Sequence, residues 1–237
     1  MSRINDIWLR KPAGLAWGVD FSGGRTSSPN GINATLAGDA VVTAGNRYLT
    51  LDGAGDWMTS DDAASLDVGE AFSVSVWVNP STPGTSVTRV PISRYHAAVN
   101  KRSWVISLRY ADSPQRVFGV VGGGTTAGIV YAFNQTLPTS GWHHYAMTYN
   151  KAASAGARVA MYSDGSAMTL STVLTDTAET PFVTDIGIRM GNDGDGSATA
   201  WKGNLGPAAV FNRVMSSGEI AQLYNAGAAR IALGGTP

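Results

Sequence analysis

The amino-acid sequence predicts an all-β domain in which two antiparallel sheets pack as a sandwich, with one short helix near the C-terminus. Apolar and polar residues alternate along much of the chain; in residues 71–79, Phe72, Val74, Val76 and Val78 fall on one face. The 29 glycines fit many short strands joined by tight turns. The length of 237 residues suits one unit, since all-β sandwiches of roughly 200–250 residues form single domains.

The strands can be placed from their two-residue period and from the turn residues between them. The strand at 71–79 ends at Pro80, because proline cannot donate a ladder hydrogen bond. The Asp-Gly pair in 163–166 predicts a tight hairpin. Further strands are predicted at 48–52, 57–59, 104–110, 116–121, 128–133, 142–149, 158–162, 167–170, 184–190 and 208–211.

A single segment has the pattern of a helix. Ser216 and Glu219 have the spacing of a capping box, in which the serine caps the first turn and the glutamate bonds back to it. Ile220 and Tyr224 then share one face, and Gly227 lies where a helix-ending glycine is expected. We therefore predict a helix of about three turns that packs on the sandwich.

These segments, in this order, resemble the laminin-G-like and concanavalin A-like jelly-roll family. The resemblance runs from Gly14 to Gly227 and is carried by 14–21, 30–36, 51–58, 65–78, 141–149 and 201–227. It implies a two-sheet antiparallel jelly-roll β-sandwich over 14–229, with an N-terminal arm (1–13) and a C-terminal tail (230–237). The family usually has acidic residues after the Gly-x-Leu step of the last strand, where this chain has Gly206, Pro207 and Ala208.

Charge and cysteine content exclude several classes of function. The formal net charge is zero and no run of Lys or Arg is present, so we expect no nucleic-acid partner. Without cysteine, disulfides, thiolate metal sites and thiol nucleophiles are impossible. We expect neither a secretory signal in the first residues nor membrane insertion, because no apolar run is long enough.

The acidic residues do not predict an enzyme. Glycosidases that share this fold carry a Glu-x-Asp-x-x-Glu pattern on one strand, and hydrolysis requires two carboxyl groups on one face. The three glutamates, Glu70, Glu179 and Glu219, lie in different elements, and none has an acidic partner two residues later. We therefore expect no catalytic residues.

Metal binding is a weaker expectation. Asn192, Asp193 and Asp195 place oxygen atoms at a spacing that calcium accepts, although an Asp-Gly turn between strands explains the same residues. His143 and His144 are adjacent on a strand, so their side chains point to opposite faces and cannot hold one ion together. We expect no cofactor, with calcium as the one candidate ion.

Contacts with partners are predicted at two places. Tyr95, His96 and Tyr131 are candidates for exposed glycan contacts, whereas Trp142 and one of Trp77 and Trp104 are expected in the core. In the N-terminal arm, the apolar residues either pack on the sandwich or dock on a neighbouring subunit; they are Ile4, Ile7, Trp8 and Leu9.

Three classes of function follow, all of them by analogy of fold. The first is a non-catalytic structural or adhesive protein on a phage virion surface: a capsid-decoration, head-fibre or tail-associated protein. It would contact other virion proteins or its own copies through the arm, and it could also bind cell-surface glycans. The alternatives are a soluble, secreted lectin-type module and a polysaccharide hydrolase, the latter disfavoured by the missing carboxylate pair.

Overall fold

Fifteen strands and one helix make up the described part of the chain. The computed structural model describes residues 13–21, 26, 28–42, 47–84, 87–126, 128–194 and 197–234. One sheet has seven strands in the order β1-β15-β5-β10-β11-β12, with β3 also paired to β15. The other has eight strands in the order β13-β9-β8-β7-β6-β14-β4-β2. All pairings are antiparallel, which confirms the predicted jelly-roll sandwich.

The strand bounds are as follows. The seven-stranded sheet contains β1 (Leu15–Val19), β3 (Leu49–Asp52), β5 (Ala71–Pro80), β10 (His143–Asn150), β11 (Val159–Ser163), β12 (Ser166–Ala167) and β15 (Lys202–Phe211). The eight-stranded sheet contains β2 (Ala34–Ala37), β4 (Trp57–Ser60), β6 (Thr88–His96), β7 (Lys101–Arg109), β8 (Arg116–Gly124), β9 (Ile129–Asn134), β13 (Thr172–Asp176) and β14 (Arg189–Met190).

The core lies between the two sheets and follows the predicted alternation. Phe72, Val74, Val76 and Val78 of β5 are all fully buried in it. From the opposite sheet, β7 contributes Trp104, Ile106 and Leu108 to the same cluster. Among the described residues no helix is long and apolar enough to cross a bilayer.

The prediction of a strand over 184–190 is wrong, since only β14 (Arg189–Met190) pairs. The backbone carbonyls of Thr184 and Ile186 accept hydrogen bonds from the buried guanidinium of Arg94 instead of from a neighbouring strand.

The last strand, by contrast, is longer than predicted. It begins at Lys202 and contains an irregularity between Leu205 and Ala208 in its pairing with β5, where Pro207 has no amide to donate.

The hairpin between β11 and β12 forms at the predicted Asp-Gly pair. Asp164 and Gly165 both have positive φ angles, 48° and 78°, as a two-residue type I′ turn requires. The Asp164 carboxylate also binds the start of β10: one oxygen accepts from the His144 amide at 2.8 Å, and the other lies 2.9 Å from Nδ1 of His143.

The C-terminal helix α1 (Ser217–Gly234) covers the outer face of the seven-stranded sheet. Its predicted capping box is present: the Glu219 amide donates to Oγ of Ser216 at 3.3 Å, and the Ser216 amide donates to the Glu219 carboxylate at 2.8 Å. The predicted end at Gly227 is wrong, because the helix continues to Gly234. A Cβ at position 227 would lie 2.0 Å from Nε1 of Trp77, so this glycine permits close approach to the sheet.

Trp77 and His144 lie side by side under this helix, on β5 and β10. The Trp77 ring stacks on Tyr224 of α1, with centroids 5.4 Å apart and an interplanar angle of 11°. His144 is fully buried, and its Nε2 is 2.8 Å from Oγ of Ser75. Burial lowers the pKa of His144 from 6.5 to about 4, so its ring is neutral near pH 7.

The distribution of tryptophans differs in part from the prediction. Both Trp77 and Trp104 are buried, whereas Trp142 is only half-buried and contacts Tyr48 at 5.6 Å between ring centroids. Trp142 precedes β10 rather than lying within it, so it sits at the margin of the sheet and not between the layers.

Replacing Gly227 with alanine tests the close contact between helix and sheet. We expect Gly227→Ala to lower the free energy of unfolding by about 1–3 kcal/mol, because the new methyl group overlaps the Trp77 indole. The measurement is urea unfolding followed by tryptophan fluorescence. Gly218→Ala is the matched control, since a Cβ at position 218 would have no atom within 4 Å and stability should stay the same or rise. Equal losses in both variants would contradict the contact.

The buried His144 predicts a loss of stability in acid. The unfolded chain protonates this histidine near pH 6.5, but the folded chain holds it neutral down to about pH 4. Stability attributable to His144 should therefore fall by roughly 2 kcal/mol between pH 8 and pH 5. Urea midpoints across this range measure it. His144→Asn should flatten the dependence, whereas the control His96→Asn should retain it; an unchanged slope in His144→Asn would argue against this assignment.

Candidate ligand-binding face

The side of the eight-stranded sheet that faces away from the core carries a row of aromatic, cationic and hydroxyl side chains. The faces follow from register: Met58, Met190 and Ile92 lie in the core, so the residues on either side of them point outward. On β7 and β8 the inward residues Ile106 and Leu108 give the same alternation. The outer face, as we use the term, comprises Trp57, Thr59, Ser93, Tyr95, Val105, Ser107, Arg109, Arg116, Phe118, Val120 and Arg189.

Two aromatic rings on the outer face are partly exposed, and each has an arginine beside it. The guanidinium carbon of Arg189 lies 5.6 Å from the ring centroid of Trp57. The guanidinium carbon of Arg102 lies 6.0 Å from the ring centroid of Tyr95. A planar ring next to fixed hydrogen-bond donors can stack against the apolar side of a sugar while the donors bind its hydroxyl groups.

The far end of the outer face is also cationic. Arg109 of β7 and Arg116 of β8 lie directly opposite each other in register. Both guanidinium groups lie over the ring of Phe118, at 4.0 and 5.2 Å from its centroid. Arg116 is paired with Asp112 at 2.8 Å, whereas Nε of Arg109 is buried and has no hydrogen-bond partner.

Charge is unevenly divided between the two sheets. The strands of the eight-stranded sheet contain one acidic residue, Asp176, and seven basic residues: Arg89, Arg94, Lys101, Arg102, Arg109, Arg116 and Arg189. The described strands of the other sheet contain one of each, Asp52 and Lys202. The strands of the eight-stranded sheet therefore carry an excess of basic residues, although Arg94, Lys101 and Arg116 each pair with an aspartate from a neighbouring segment.

Arg94 belongs to the structure and not to the outer face. Its side chain is fully buried, and all five of its N–H groups donate hydrogen bonds. The acceptors are the carbonyls of Ile186 (3.0 Å), Leu66 (2.5 Å) and Thr184 (2.7 Å) and the carboxylates of Asp67 (2.7 Å) and Asp62 (2.9 Å). This guanidinium is saturated and offers nothing to a ligand.

The loop predicted to hold calcium lies against β6. Within it, Oδ1 of Asn192 accepts from the Gly194 amide at 3.1 Å, and Oδ1 of Asp193 accepts from Thr199 at 2.7 Å. The Asn192 carbonyl accepts from Ser93 at 2.8 Å. Asp195 lies outside the described residues. Calcium binding here remains a prediction, and the hydrogen bonds are those of a closed turn.

The same loop meets two of the predicted contact residues. A Cβ on Gly194 would lie 2.9 Å from Cγ of His96 and 3.1 Å from the Tyr95 carbonyl. The structure thus brings Tyr95, His96 and the loop from Asn192 together at one edge of the outer face. The sequence placed them far apart, and only the pairing of β14 with β6 explains their proximity.

The third predicted contact residue, Tyr131, is not exposed. It is fully buried in the core, where its hydroxyl bonds to Asp176 and accepts from the Gly156 amide at 2.7 Å. The prediction failed because a neighbouring glycine-rich segment suggested a surface loop, whereas β9 places the ring between the sheets. The arm residues Ile4, Ile7, Trp8 and Leu9 lie outside the described residues.

Three aspartates come together near the start of β4, and the buried one binds backbone amides. Carboxylate oxygens of Asp39, Asp52 and Asp56 lie within 4.8 Å of one another. Asp56 is buried, and its two oxygens accept from the Asp39 amide at 3.1 Å and the Asp52 amide at 2.9 Å. These bonds occupy the buried carboxylate and tie β3 to the turn after β2.

The three glutamates are engaged in separate ion pairs or hydrogen bonds. Glu70 is paired with Lys151 at 2.5 Å, which lowers its pKa. Glu219 is paired with Arg213 at 2.7 Å, and this contact lowers its pKa to about 2. Glu179 accepts from Thr177 at 2.9 Å. A general acid needs a pKa raised toward neutrality, which is opposite to the direction seen in Glu70 and Glu219.

Sequence reasoning missed most of the outer face. The sequence singles out Tyr95 on this face, but not Trp57, Arg109, Arg116, Phe118 or Arg189. The alternation along β7 and β8 does contain the signal: Leu108 and Val117 point into the core, so their neighbours Arg109 and Arg116 point to the outer face. The register between the strands is what the sequence alone did not provide.

Comparison with known proteins supports the fold. No curated protein matches the chain. Domain 4 of AbnA, an extracellular GH43 arabinanase from Geobacillus stearothermophilus solved in complex with arabinotriose, is similar with a TM-score of 0.62 and 16% identity, over 90% of this chain and 98% of that domain. The botulinum neurotoxin serotype G binding domain is similar with a TM-score of 0.67 and 14% identity, over 89% of this chain and 50% of its own.

A third solved structure is similar to a comparable degree. The binding domain of Paraclostridial Mosquitocidal Protein 1 gives a TM-score of 0.63 and 12% identity, over 90% of this chain and 52% of that domain. The chain thus spans about half the length of the two toxin binding domains and nearly all of the arabinanase domain. The family model for the concanavalin A-like lectin/glucanases superfamily matches residues 52–221. The chain therefore belongs to the concanavalin A-like lectin/glucanases superfamily.

Proposed function

We propose that this protein is a non-catalytic glycan-binding module and that the outer face of its eight-stranded sheet holds the glycan. The observation that carries the proposal is the pair of partly exposed rings, Trp57 and Tyr95, each beside an arginine on the same sheet face. Rings of this kind supply stacking surface. Nη1 of Arg102 already binds Asn100 and the carbonyls of Gly124 and Thr125, which fixes the guanidinium beside Tyr95 so that its other N–H groups can bind sugar hydroxyls.

The surroundings of the rings favour binding over catalysis. The strands that form the outer face contain a single carboxylate, Asp176, which bonds to the core residue Tyr131 and pairs with Arg158. Glycoside hydrolysis needs two carboxyl groups facing one sugar. The arabinotriose complex of the similar arabinanase domain adds an analogy for an oligosaccharide ligand on this fold.

We also propose that the protein is displayed on a virion surface, as the sequence suggested, with the arm as its attachment. The Ala13 carbonyl accepts a hydrogen bond from Nε of Arg213 at 3.0 Å, and the Gly14 carbonyl accepts from the Asn212 amide at 2.8 Å. The arm therefore joins the sandwich at β1, the edge strand of the seven-stranded sheet. An attachment there would leave the partly exposed Trp57 and Tyr95 of the other sheet accessible to glycans, although Ser93, Phe118 and Val120 between and beside them are buried. A secreted lectin-type module is the alternative.

Substitution of the rings tests the glycan site. Trp57→Ala and Tyr95→Ala should each weaken binding to a glycan identified on an array by roughly tenfold or more, since each removes stacking surface. Isothermal titration measures the effect. Trp142→Ala is the matched control, because it removes a half-buried tryptophan away from the outer face. Unchanged affinity in both ring variants, or no bound glycan on the array, would refute the proposal.

Deletion of residues 1–12 tests the arm. We expect the shortened protein to keep its thermal midpoint and its glycan affinity, because Ala13 and its hydrogen bond to Arg213 remain. It should lose self-association, measured by sedimentation, or incorporation into particles when it is co-expressed with candidate capsid or tail proteins. Full retention of both would contradict attachment through the arm.

A further inference from the structure

We propose that the glycan bound on the outer face is acidic and that Arg109 binds its carboxylate. The inference rests on the proposed glycan-binding function and specifies the chemical class of the ligand. Its starting point is the Arg109–Arg116 pair, which places two like charges directly opposite each other on neighbouring strands. Such pairs destabilise a sheet unless other groups compensate them.

The compensation in the structure is incomplete. Arg116 is neutralised by Asp112, whose carboxylate lies 2.8 Å from its Nε. The face of the Phe118 ring attracts both guanidinium groups, and it lies closer to that of Arg109. No ion pair of Arg109 is found among the described residues. Its Nε is enclosed and has no acceptor, but the side chain is only half-buried, so the positive charge and the terminal N–H groups remain open to a ligand.

Arg109 lies where a row of polar residues across the strands meets the length of β7. The register continues the polar row on both sides, from Thr88 opposite Arg109 to Asn134 opposite Arg116. A cleft of about 630 Å³ adjoins this row, lined in part by Asp112 and Asn134. Arg102, beside the Tyr95 ring, lies seven residues from Arg109 along β7, which at roughly 3.3 Å per residue gives a separation of roughly 23 Å. An oligosaccharide of several sugars could span both.

A carboxylate is the ligand group that fits best. Arginine binds carboxylates through two parallel N–H···O bonds, and these charge-assisted bonds are stronger than bonds to neutral hydroxyls. Stacking against Phe118 holds the guanidinium plane in place before the ligand arrives. The one carboxylate next to the Arg109–Arg116 pair, that of Asp112, is itself neutralised by Arg116, which reduces its repulsion of an anionic glycan.

The test compares polygalacturonate, which carries a carboxylate on each sugar, with neutral arabinan in 50 mM and 500 mM NaCl. At low salt we expect polygalacturonate to bind more tightly than arabinan, and we expect this difference to shrink at high salt. Arg109→Gln should weaken the binding of polygalacturonate roughly tenfold or more. The same variant should weaken arabinan binding much less, because a neutral sugar offers Arg109 only hydroxyl groups, so the ratio of the two affinities is the readout. Arg109→Lys, which keeps the charge but loses the planar fork, should give an intermediate loss. Lys202→Gln removes one charge from the other sheet and is the matched control.

The outcomes separate this inference from the proposed function. If both polymers bind equally and Arg109→Gln changes neither, the acidic specificity is wrong while glycan binding stands. Preference for dextran sulfate over polygalacturonate would replace the carboxylate with a sulfate and overturn the assignment. Equal losses in Arg109→Gln and Lys202→Gln would indicate general electrostatic attraction and would also overturn it. No binding of any polysaccharide would refute the proposed function and this inference with it.

Discussion

The buried guanidinium of Arg94 is the interaction on which the geometry of the eight-stranded sheet depends. It takes a full positive charge into the protein, which is costly unless every donor is satisfied and an opposite charge is near. Both conditions hold, since five acceptors surround it and two of them are the carboxylates of Asp62 and Asp67. These contacts tie β6 to the short 3₁₀ helix over Ala64–Leu66 and to the segment before β14.

The hydrogen bonds of Arg94 also affect one edge of the outer face. Because the carbonyls of Thr184 and Ile186 bind Arg94, they are not available to a neighbouring strand, and β14 is only two residues long. The chain then leaves the sheet at Asn192, whose carbonyl accepts from Ser93 of β6. The loop beginning there meets Tyr95 and His96 and borders one side of the outer face. A structural arginine thus determines where a ligand can lie.

The sequence predicted the layers of this fold better than it predicted the ligand-binding face. Alternation assigned Phe72, Val74, Trp104 and Ile106 correctly, because one inward residue in two is a local property. Tyr131 and Gly227 were misjudged because their roles depend on what lies opposite: the other sheet for Tyr131 and the Trp77 indole for Gly227. A glycine that ends a helix and a glycine that lets a helix approach a ring are indistinguishable without the partner.

The two sheets differ in what lies on the face that points away from the core. The seven-stranded sheet buries its outer face under α1, where neutral His144 and the stacked Trp77 and Tyr224 make a second small core. The outer face of the eight-stranded sheet has a small buried cluster of its own, which includes Val105, Phe118 and Val120, and rings and guanidinium groups lie around that cluster. The terminal N–H groups of Arg109 are not among the enclosed atoms and have no acceptor on a described residue, so they are the part that a ligand can reach. The like-charged pair with Arg116 costs stability that Phe118 and Asp112 offset only in part, and a ligand carboxylate would remove the rest; this explanation fails if Arg109→Gln stabilises the protein without any loss of binding.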